Sequence, residues 1–169
     1  MKKTALLTTL FTLMFSGTQT LAQEPVVGVP DPEALFTDAD PQKHANKQAT
    51  LRIMRELLQC NHWDDAGNWL TDRYLQHNPN VGSGLAPVIA FFKATRARTP
   101  TCDELTTPIV AVLADGDYVT VVIPREYPHP NKPGETYTTT WFDMWRFVDG
   151  KADEHWDPAT IAPAAAPAN

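Results

Sequence analysis

Two aspartates and a histidine near the end of the chain have the types and spacing that acid–base chemistry requires. Asp143 stands among aromatic residues, and His155 and Asp157 follow closely after it. Two carboxylates that approach each other can share one proton, so one of them is available as a base near neutral pH. This combination predicts that Asp143, His155 and Asp157 belong to the wall of a pocket that is suited to acid–base chemistry.

The stretch that must position these groups reads as a β-hairpin. The pair Asp149-Gly150 favours a tight turn between the run Tyr137–Val148 and the run Lys151–Trp156. Because strand side chains alternate between faces, His155 and Asp157 share a face. One face of the first run carries Trp141, Asp143, Trp145 and Phe147. The pattern leaves open whether this face lines a pocket or meets solvent, since half-buried strands usually have one wet face.

Helices precede these strands. Apolar spacing predicts a helix over Asn46–Cys60, a shorter one over Trp63–Leu70, and a third that begins at Ser83 or Gly84. After Pro100 the spacing of apolar residues changes from that of helices to that of strands. Strands are predicted over 109–113 and 118–123, a loop over 124–134, and then the hairpin. Helices followed by antiparallel strands indicate an α+β fold, with three N-terminal helices packed on a curved antiparallel sheet.

A second group of candidates lies between the predicted second and third helices. Tyr74, His77 and Asn78 belong to a segment whose turn residues favour a loop after a short extended piece. His77 and Asn78 are candidates for the pocket mouth, although a turn with a hydrogen-bonded histidine explains them equally well. Trp156, with Trp141 and Trp145, is a candidate for the pocket wall; core packing is the alternative for these tryptophans.

The two ends of the chain differ from its middle. Lys2, Lys3 and the apolar residues after them predict a signal peptide over 1–22, which makes the protein periplasmic or secreted. Residues 23–43 contain several prolines and are predicted as an extended leader draped over the domain, and residues 159–169 as a disordered Ala/Pro-rich tail. Loss of the signal peptide changes the formal net charge from −6 to −8. This balance argues against nucleic acid, and no other segment is apolar enough for membrane insertion.

Cys60 and Cys102 are the two cysteines of the chain. In an oxidising compartment an even number permits a disulfide, although two free buried thiols remain the alternative. Neither belongs to a CxxC pair, and no cluster has zinc spacing. His77, Asp143, His155 and Asp157 are of types that divalent ions accept, but their spacing does not favour a metal site. We therefore expect neither metal nor cofactor.

Three motifs carry a resemblance to a known family. The segments YLQHNP, FDMWRFVDGK and EHWDP together resemble the SnoaL-like polyketide cyclases of the nuclear-transport-factor-2-like superfamily. The resemblance covers residues 44–158 and implies a cone-shaped barrel with a pocket for a hydrophobic small molecule. It also implies a dimer formed through the outer face of the sheet.

The resemblance assigns roles to individual residues. Asp157 matches the family's acid/base, which starts an aldol condensation without metal or cofactor. Asp143 stands where the cyclases have a pocket histidine, a departure from their pattern. For this chemistry His77 and His155 are candidates to donate hydrogen bonds to a developing enolate, and orientation of Asp157 is the alternative role of His155. An aldol cyclase or isomerase is therefore one prediction, and a non-catalytic small-molecule-binding or protein-interaction module is the other, because fold alone does not determine function.

Overall fold

The computed structural model describes residues 23–95 and 97–161. The signal peptide predicted over 1–22 and most of the predicted tail therefore lie outside the described residues. No helix within the described ranges is long and apolar enough to cross a membrane. The elements in order are a 3-10 helix Glu33–Phe36, α1 Pro41–Arg52, a π-helix Ile53–Gln59, a 3-10 helix Trp63–Asn68, β1 Leu70–Gln76, α2 Leu85–Lys93, β2 Ala111–Asp115, β3 Tyr118–Pro128, β4 Thr136–Val148 and β5 Lys151–Trp156.

The first long helix begins five residues before the predicted start at Asn46, within the segment that was predicted to be extended. The Asp40 carboxylate accepts a hydrogen bond from the backbone N–H of Lys43, and Pro41 occupies the first helical position. An N-cap aspartate followed by proline is a strong start signal. The proline that suggested an extended leader is therefore the first residue of α1.

The rest of the leader packs on the domain. The Val29 N–H donates to the Ile109 carbonyl at 2.8 Å, and the Phe36 side chain is fully buried. A Cβ at Gly28 would lie 2.8 Å from Pro108 Cβ, so only glycine permits this close approach.

Five strands form one sheet in the order β1-β5-β4-β3-β2. The hairpin of β4 and β5 forms as predicted, and both turn residues have positive φ, 49° at Asp149 and 79° at Gly150. β3 continues to Pro128, so the loop predicted over 124–134 is wrong in its first part. The pairing of β3 with β2 ends at Val122. Beyond this residue the edge of β3 that faces away from β4 is open, so Pro124 and Pro128 can lack an N–H group without loss of a backbone hydrogen bond in the sheet.

β1 makes the sheet mixed. It pairs parallel with β5, with Gln76 opposite His155, whereas the other pairs are antiparallel. The sequence predicted helix at Leu70 and a loop beyond the short extended piece, because a parallel partner some 80 residues away leaves no local signal. The α+β class, with helices packed on a curved sheet, is confirmed.

Cys60 and Cys102 form a disulfide. It joins the residue after the π-helix to the segment between α2 and β2, which has no regular secondary structure over Ala97–Thr107. The bond therefore holds this long connection against the helical layer.

Candidate functional site

A cavity of about 510 Å³ lies between the helical layer and the inner face of the sheet. One part of its wall is apolar and aromatic, from Ile53, Met54, Leu58, Trp63, Leu70, Phe92, Ile123, Trp141 and Trp145. The remaining lining is polar and includes Tyr74, Gln76, Asn78, Asp143, His155 and Asp157, with Arg125 also present. Ligand sites commonly have this size and this combination of an apolar wall with a few convergent polar groups.

The π-helix builds one side of the cavity. Ile53, Met54, Leu58 and Gln59 all line it, so the contacting pairs are spaced i, i+5. In an α-helix, residues five apart point about 140° away from each other, whereas the wider π turn brings them to one face. The sequence predicted an ordinary helix here, because apolar spacing does not distinguish one π segment from α-helix.

Asp143 lies at the polar end of the cavity and is buried, with 6% of its surface exposed. Trp141 Nε1 donates to Asp143 Oδ1 at 3.0 Å, and His155 Nε2 lies 3.3 Å from the same oxygen. Asp143 and Trp141 are two residues apart on β4, so strand alternation directs both inward. No lysine or arginine in the described ranges forms an ion pair with this carboxylate.

His155 is oriented by its second ring nitrogen. Nδ1 lies 2.7 Å from Gln76 Oε1, and the same oxygen accepts the backbone N–H of Asn78 at 3.2 Å. Because a backbone N–H can only donate, this contact assigns the amide oxygen, and Nδ1 must carry a proton. A hydrogen bond between Nε2 and Asp143 then requires one further proton on that pair, as imidazolium or as carboxylic acid.

Asp157 follows β5 and is half-buried. Asn78 Nδ2 donates to Asp157 Oδ2 at 2.7 Å, and the Ala159 N–H donates to Oδ1 at 2.9 Å. The Asn78 amide is itself oriented, since its Oδ1 accepts the backbone N–H of Asn80 at 2.9 Å. Asp157 is thus a carboxylate held in place by two neutral donors.

Tyr74 completes the polar end. Trp145 Nε1 donates to its hydroxyl oxygen at 3.0 Å, and burial raises the pKa of the Tyr74 phenol far above its ordinary range. The phenol therefore stays protonated at all physiological pH values. Among the described residues nothing accepts its proton, which is available to an oxygen atom of a ligand.

The structure brings most of the predicted site residues to the cavity. Those that line it are Tyr74, Asn78, Trp141, Asp143, Trp145, His155 and Asp157. His77 and Trp156 do not line the cavity. Their rings stack outside it, with centroids 5.0 Å apart. His77 Nε2 lies 2.9 Å from Glu154 Oε1, and nearly half of the His77 side chain is exposed.

The predicted cavity positions of His77 and Trp156 are therefore wrong, for a reason of strand geometry. Trp156 alternates with His155 along β5, so it shares the outer face with Glu154. His77 follows β1, and its ring packs on Trp156 at that outer face. The histidine that reaches the cavity is His155 alone among the described residues.

Asp143, His155 and Asp157 could also hold a metal ion. Each offers one ligand atom, and these atoms lie within 4.8 Å of one another. Imidazole and carboxylate oxygen are suitable ligands for several divalent ions. The spacing of these residues in the sequence argued against a metal site, but the β4–β5 pairing brings Asp143 close to His155 and Asp157.

Gln76 and Arg125 are two of the polar cavity residues that were not predicted from the sequence. Gln76 lies on β1, whose parallel pairing was not predicted, and Arg125 lies in the part of β3 that was predicted as a loop. Alternation from Val121 and Ile123, which are both buried, would have directed Arg125 inward once the strand was extended.

A curved sheet closed by helices around such a cavity defines a small-molecule-binding α+β cone. The chain belongs to the SnoaL-like domain family, whose model matches residues 51–155. This match confirms the resemblance predicted from the three motifs. Asp157 lies two residues beyond the matched range.

Several solved structures are similar to this chain at low sequence identity. A candidate SnoaL-like polyketide cyclase from Jannaschia sp. CCS1 is 19% identical, with 72% of this chain and 91% of that chain covered and a TM-score of 0.50. A candidate polyketide cyclase from Acidithiobacillus ferrooxidans is also 19% identical, over 67% and 86% of the two chains, with a TM-score of 0.49. A search of curated protein sequences finds no match to the chain.

Proposed function

We propose that the protein is a cofactor-independent acid/base enzyme that acts on a hydrophobic compound with an enolisable carbonyl, as an aldol cyclase or isomerase. The observation that supports this most directly is the cluster of Asp143, His155 and Asp157 at one end of an aromatic-lined cavity. Two acids and a histidine at the end of an apolar pocket are the groups that proton abstraction next to a carbonyl needs.

Asp157 acts as the base in this proposal. Its carboxylate takes a proton from the carbon beside the carbonyl, and the electron pair of the C–H bond passes to the carbonyl oxygen to form an enolate. The phenol of Tyr74 and the proton of the His155–Asp143 pair donate to that oxygen. The enolate carbon then attacks a second carbonyl of the same molecule, and the alkoxide that forms takes the proton from Asp157. In an isomerase the enolate is conjugated with a C=C bond and regains the proton from Asp157 at another carbon.

Hydrogen–deuterium exchange tests the first step alone. The ketone 2-tetralone, an aromatic probe small enough for the cavity, is incubated with the protein in D2O and followed by NMR. We expect the wild-type protein to accelerate exchange beside the carbonyl and Asp157→Asn to lose this acceleration. Binding of 2-tetralone without any accelerated exchange would favour the non-catalytic binding module.

We also propose that the protein is exported. The residues of segment 1–22 have the order of a signal peptide, and the Cys60–Cys102 disulfide is a bond that persists in oxidising compartments. Mass spectrometry of the protein from a periplasmic fraction should give a chain that starts at Gln23. A chain that retains Met1 in that fraction would contradict export by cleavage.

A homodimer through the outer face of the sheet is a further proposal. Leu113, Tyr118 and Phe142 are large apolar residues on that side and are 61%, 43% and 47% exposed. Exposed apolar patches commonly mark protein interfaces. Light scattering after gel filtration should give a dimer for the wild-type protein and a monomer for Phe142→Glu; a monomeric wild-type protein would contradict the proposal.

A further inference from the structure

We propose that Arg125 is an anion-binding subsite at the edge of the cavity, and that the natural ligand carries a carboxylate or a similar organic anion far from its reacting carbon. The inference deepens the proposed function, on which it rests for the identity of the reacting end. It concerns the other end of the ligand and the direction in which the ligand enters.

Arg125 lines the cavity, and none of the described acidic residues is its partner. Its guanidinium carbon lies 5.4 Å from the centre of the Trp141 ring, within the range of a cation–π contact. In the described part of the chain Arg125 forms no ion pair. The other described arginines each contact a carboxylate: Arg52, Arg55, Arg73, Arg98 and Arg146.

The Trp141 ring connects this cation to the candidate catalytic end. The Arg125 guanidinium lies over the Trp141 ring, and the indole N–H of the same ring donates to Asp143. The cation–π contact therefore holds the guanidinium over an aromatic surface, while its N–H groups donate to no group of the described residues. A guanidinium presents donors in a fixed fork that matches the two oxygens of a carboxylate.

The charges of the lining give the ligand a direction. Asp143 and Asp157 are the acids at one end, and Arg125 is the cation elsewhere on the wall; no described lysine lines the cavity. A carboxylate near the two aspartates would be repelled, whereas the same group beside Arg125 would be attracted. An anionic ligand should therefore bind with its anion at Arg125 and its uncharged carbonyl end at Asp157.

The strand register sets the length of such a ligand. Arg125 pairs with Thr139, whereas Asp143 pairs with Val121, four residues along β3. Four residues of strand span about 13 Å, so a ligand that reaches both ends would have its anion on the order of 10 Å from the reacting carbon. A body of one or two aromatic rings has this length and suits the tryptophan-lined wall.

A matched pair of fluorescent probes tests the inference. The sulfonate 8-anilino-1-naphthalenesulfonate and the neutral N-phenyl-1-naphthylamine share one aromatic body and differ in the anionic group. Both are titrated into the wild-type protein, Arg125→Gln, Arg125→Lys and the control Arg98→Gln, whose residue pairs with Asp65 outside the cavity. Thermal melts of each variant establish that it is folded.

We expect Arg125→Gln to weaken sulfonate binding about 10-fold and to leave binding of the neutral probe within about twofold, because a charge-assisted hydrogen bond is lost. Arg125→Lys should give an intermediate loss, and Arg98→Gln none. Added salt should weaken sulfonate binding in the wild-type protein more than in Arg125→Gln.

Three results would overturn the inference. They are equal losses for both probes in Arg125→Gln, no loss for either probe, or a wild-type protein that binds the neutral probe at least as tightly as the sulfonate. The deuterium exchange of neutral 2-tetralone separates this inference from the proposed function. If Arg125→Gln kept the 2-tetralone exchange and bound the sulfonate as tightly as the wild-type protein, the anion site would be refuted and the proposed function would stand.

Discussion

Two buried aspartates on the β4–β5 hairpin, Asp143 and Asp153, have very different surroundings. Asp153 Oδ1 accepts the Thr71 hydroxyl at 2.8 Å and the Arg73 Nε–H at 3.2 Å, while Oδ2 accepts from Arg146 Nη2 at 2.7 Å. Arg73 Nη2 also donates to Oδ2. Asp143 has a tryptophan N–H and His155 as its neighbours.

The comparison separates a structural acid from one that is available for chemistry. The hydrogen bond from Arg73 is the main cause that lowers the pKa of Asp153, with the Thr71 hydroxyl and Arg146 acting in the same direction. Fixed cations on β1 and β4 thus keep Asp153 charged and tie three strands together. Asp143 and Asp157 have no lysine or arginine partner among the described residues and face an open cavity, so a bound molecule can still change their interactions.

The largest effect is expected at Asp157, the half-buried member of the cavity group. Asp157→Asn keeps the shape of the side chain but removes the base, so the acceleration of 2-tetralone exchange should fall ~10²-fold or more. Thermal stability should change little, because the two donors to Asp157 are neutral and belong to half-buried residues. NMR exchange rates and a thermal melt check the two halves of this prediction.

Asp149→Asn is the matched control for that experiment. The residue is exposed in the hairpin turn at positive φ, a conformation that asparagine adopts readily. It should leave both exchange and melting temperature unchanged. If Asp157→Asn instead lost much stability and kept its ligand affinity, Asp157 would be a structural residue, and the binding-module function would replace the catalytic one.

Asp153→Asn should show the reverse behaviour. Removing the charge leaves Arg73 and Arg146 without their shared partner, so the free energy of unfolding should fall by roughly 1–3 kcal/mol. Exchange catalysis at a temperature where the variant is folded should be retained, since Asp153 does not line the cavity. Urea denaturation measures the change in the free energy of unfolding. A loss of catalysis in a fully folded Asp153→Asn variant would contradict the distinction between the two aspartates.

The stability difference between the wild-type protein and Asp153→Asn should depend on pH. Because folding lowers the pKa of Asp153, the unfolded chain binds the proton more readily, and stability from this group rises with pH. The contribution is fully present above the unfolded value of about 3.9 and is lost as pH falls through the folded value. The urea midpoints of the wild-type protein and Asp153→Asn should therefore differ clearly at pH 6, and the difference should be smaller at pH 3.

The smallest effect is expected from metal removal. The proposed chemistry uses only protons held by protein groups, so dialysis against EDTA should leave 2-tetralone exchange unchanged. A loss of exchange that Zn²⁺ or Mn²⁺ restores would show that Asp143, His155 and Asp157 bind a metal instead. Asp153, which is surrounded by arginines, would remain a structural acid in either case.

The hairpin was predictable from the sequence because its signals are local. Asp149-Gly150 and the aromatic alternation of β4 determine which side chains share a face, and they correctly group Asp143 with Trp141. The parallel pairing of β1 was not predictable, since its partner is distant in sequence, and this error also misplaced His77. Arg125 was missed because prolines within β3 resemble a loop unless one knows that the strand has an open edge there.

The position of β5 has a consequence for synthesis. Of the described strands β5 is synthesised last, yet it lies inside the sheet between β1 and β4 and carries His155. A nascent chain that ends before residue 151 therefore has β1 without a partner, and the cavity lacks part of its wall. The sheet of this domain can therefore be completed only after residue 156 has left the ribosome.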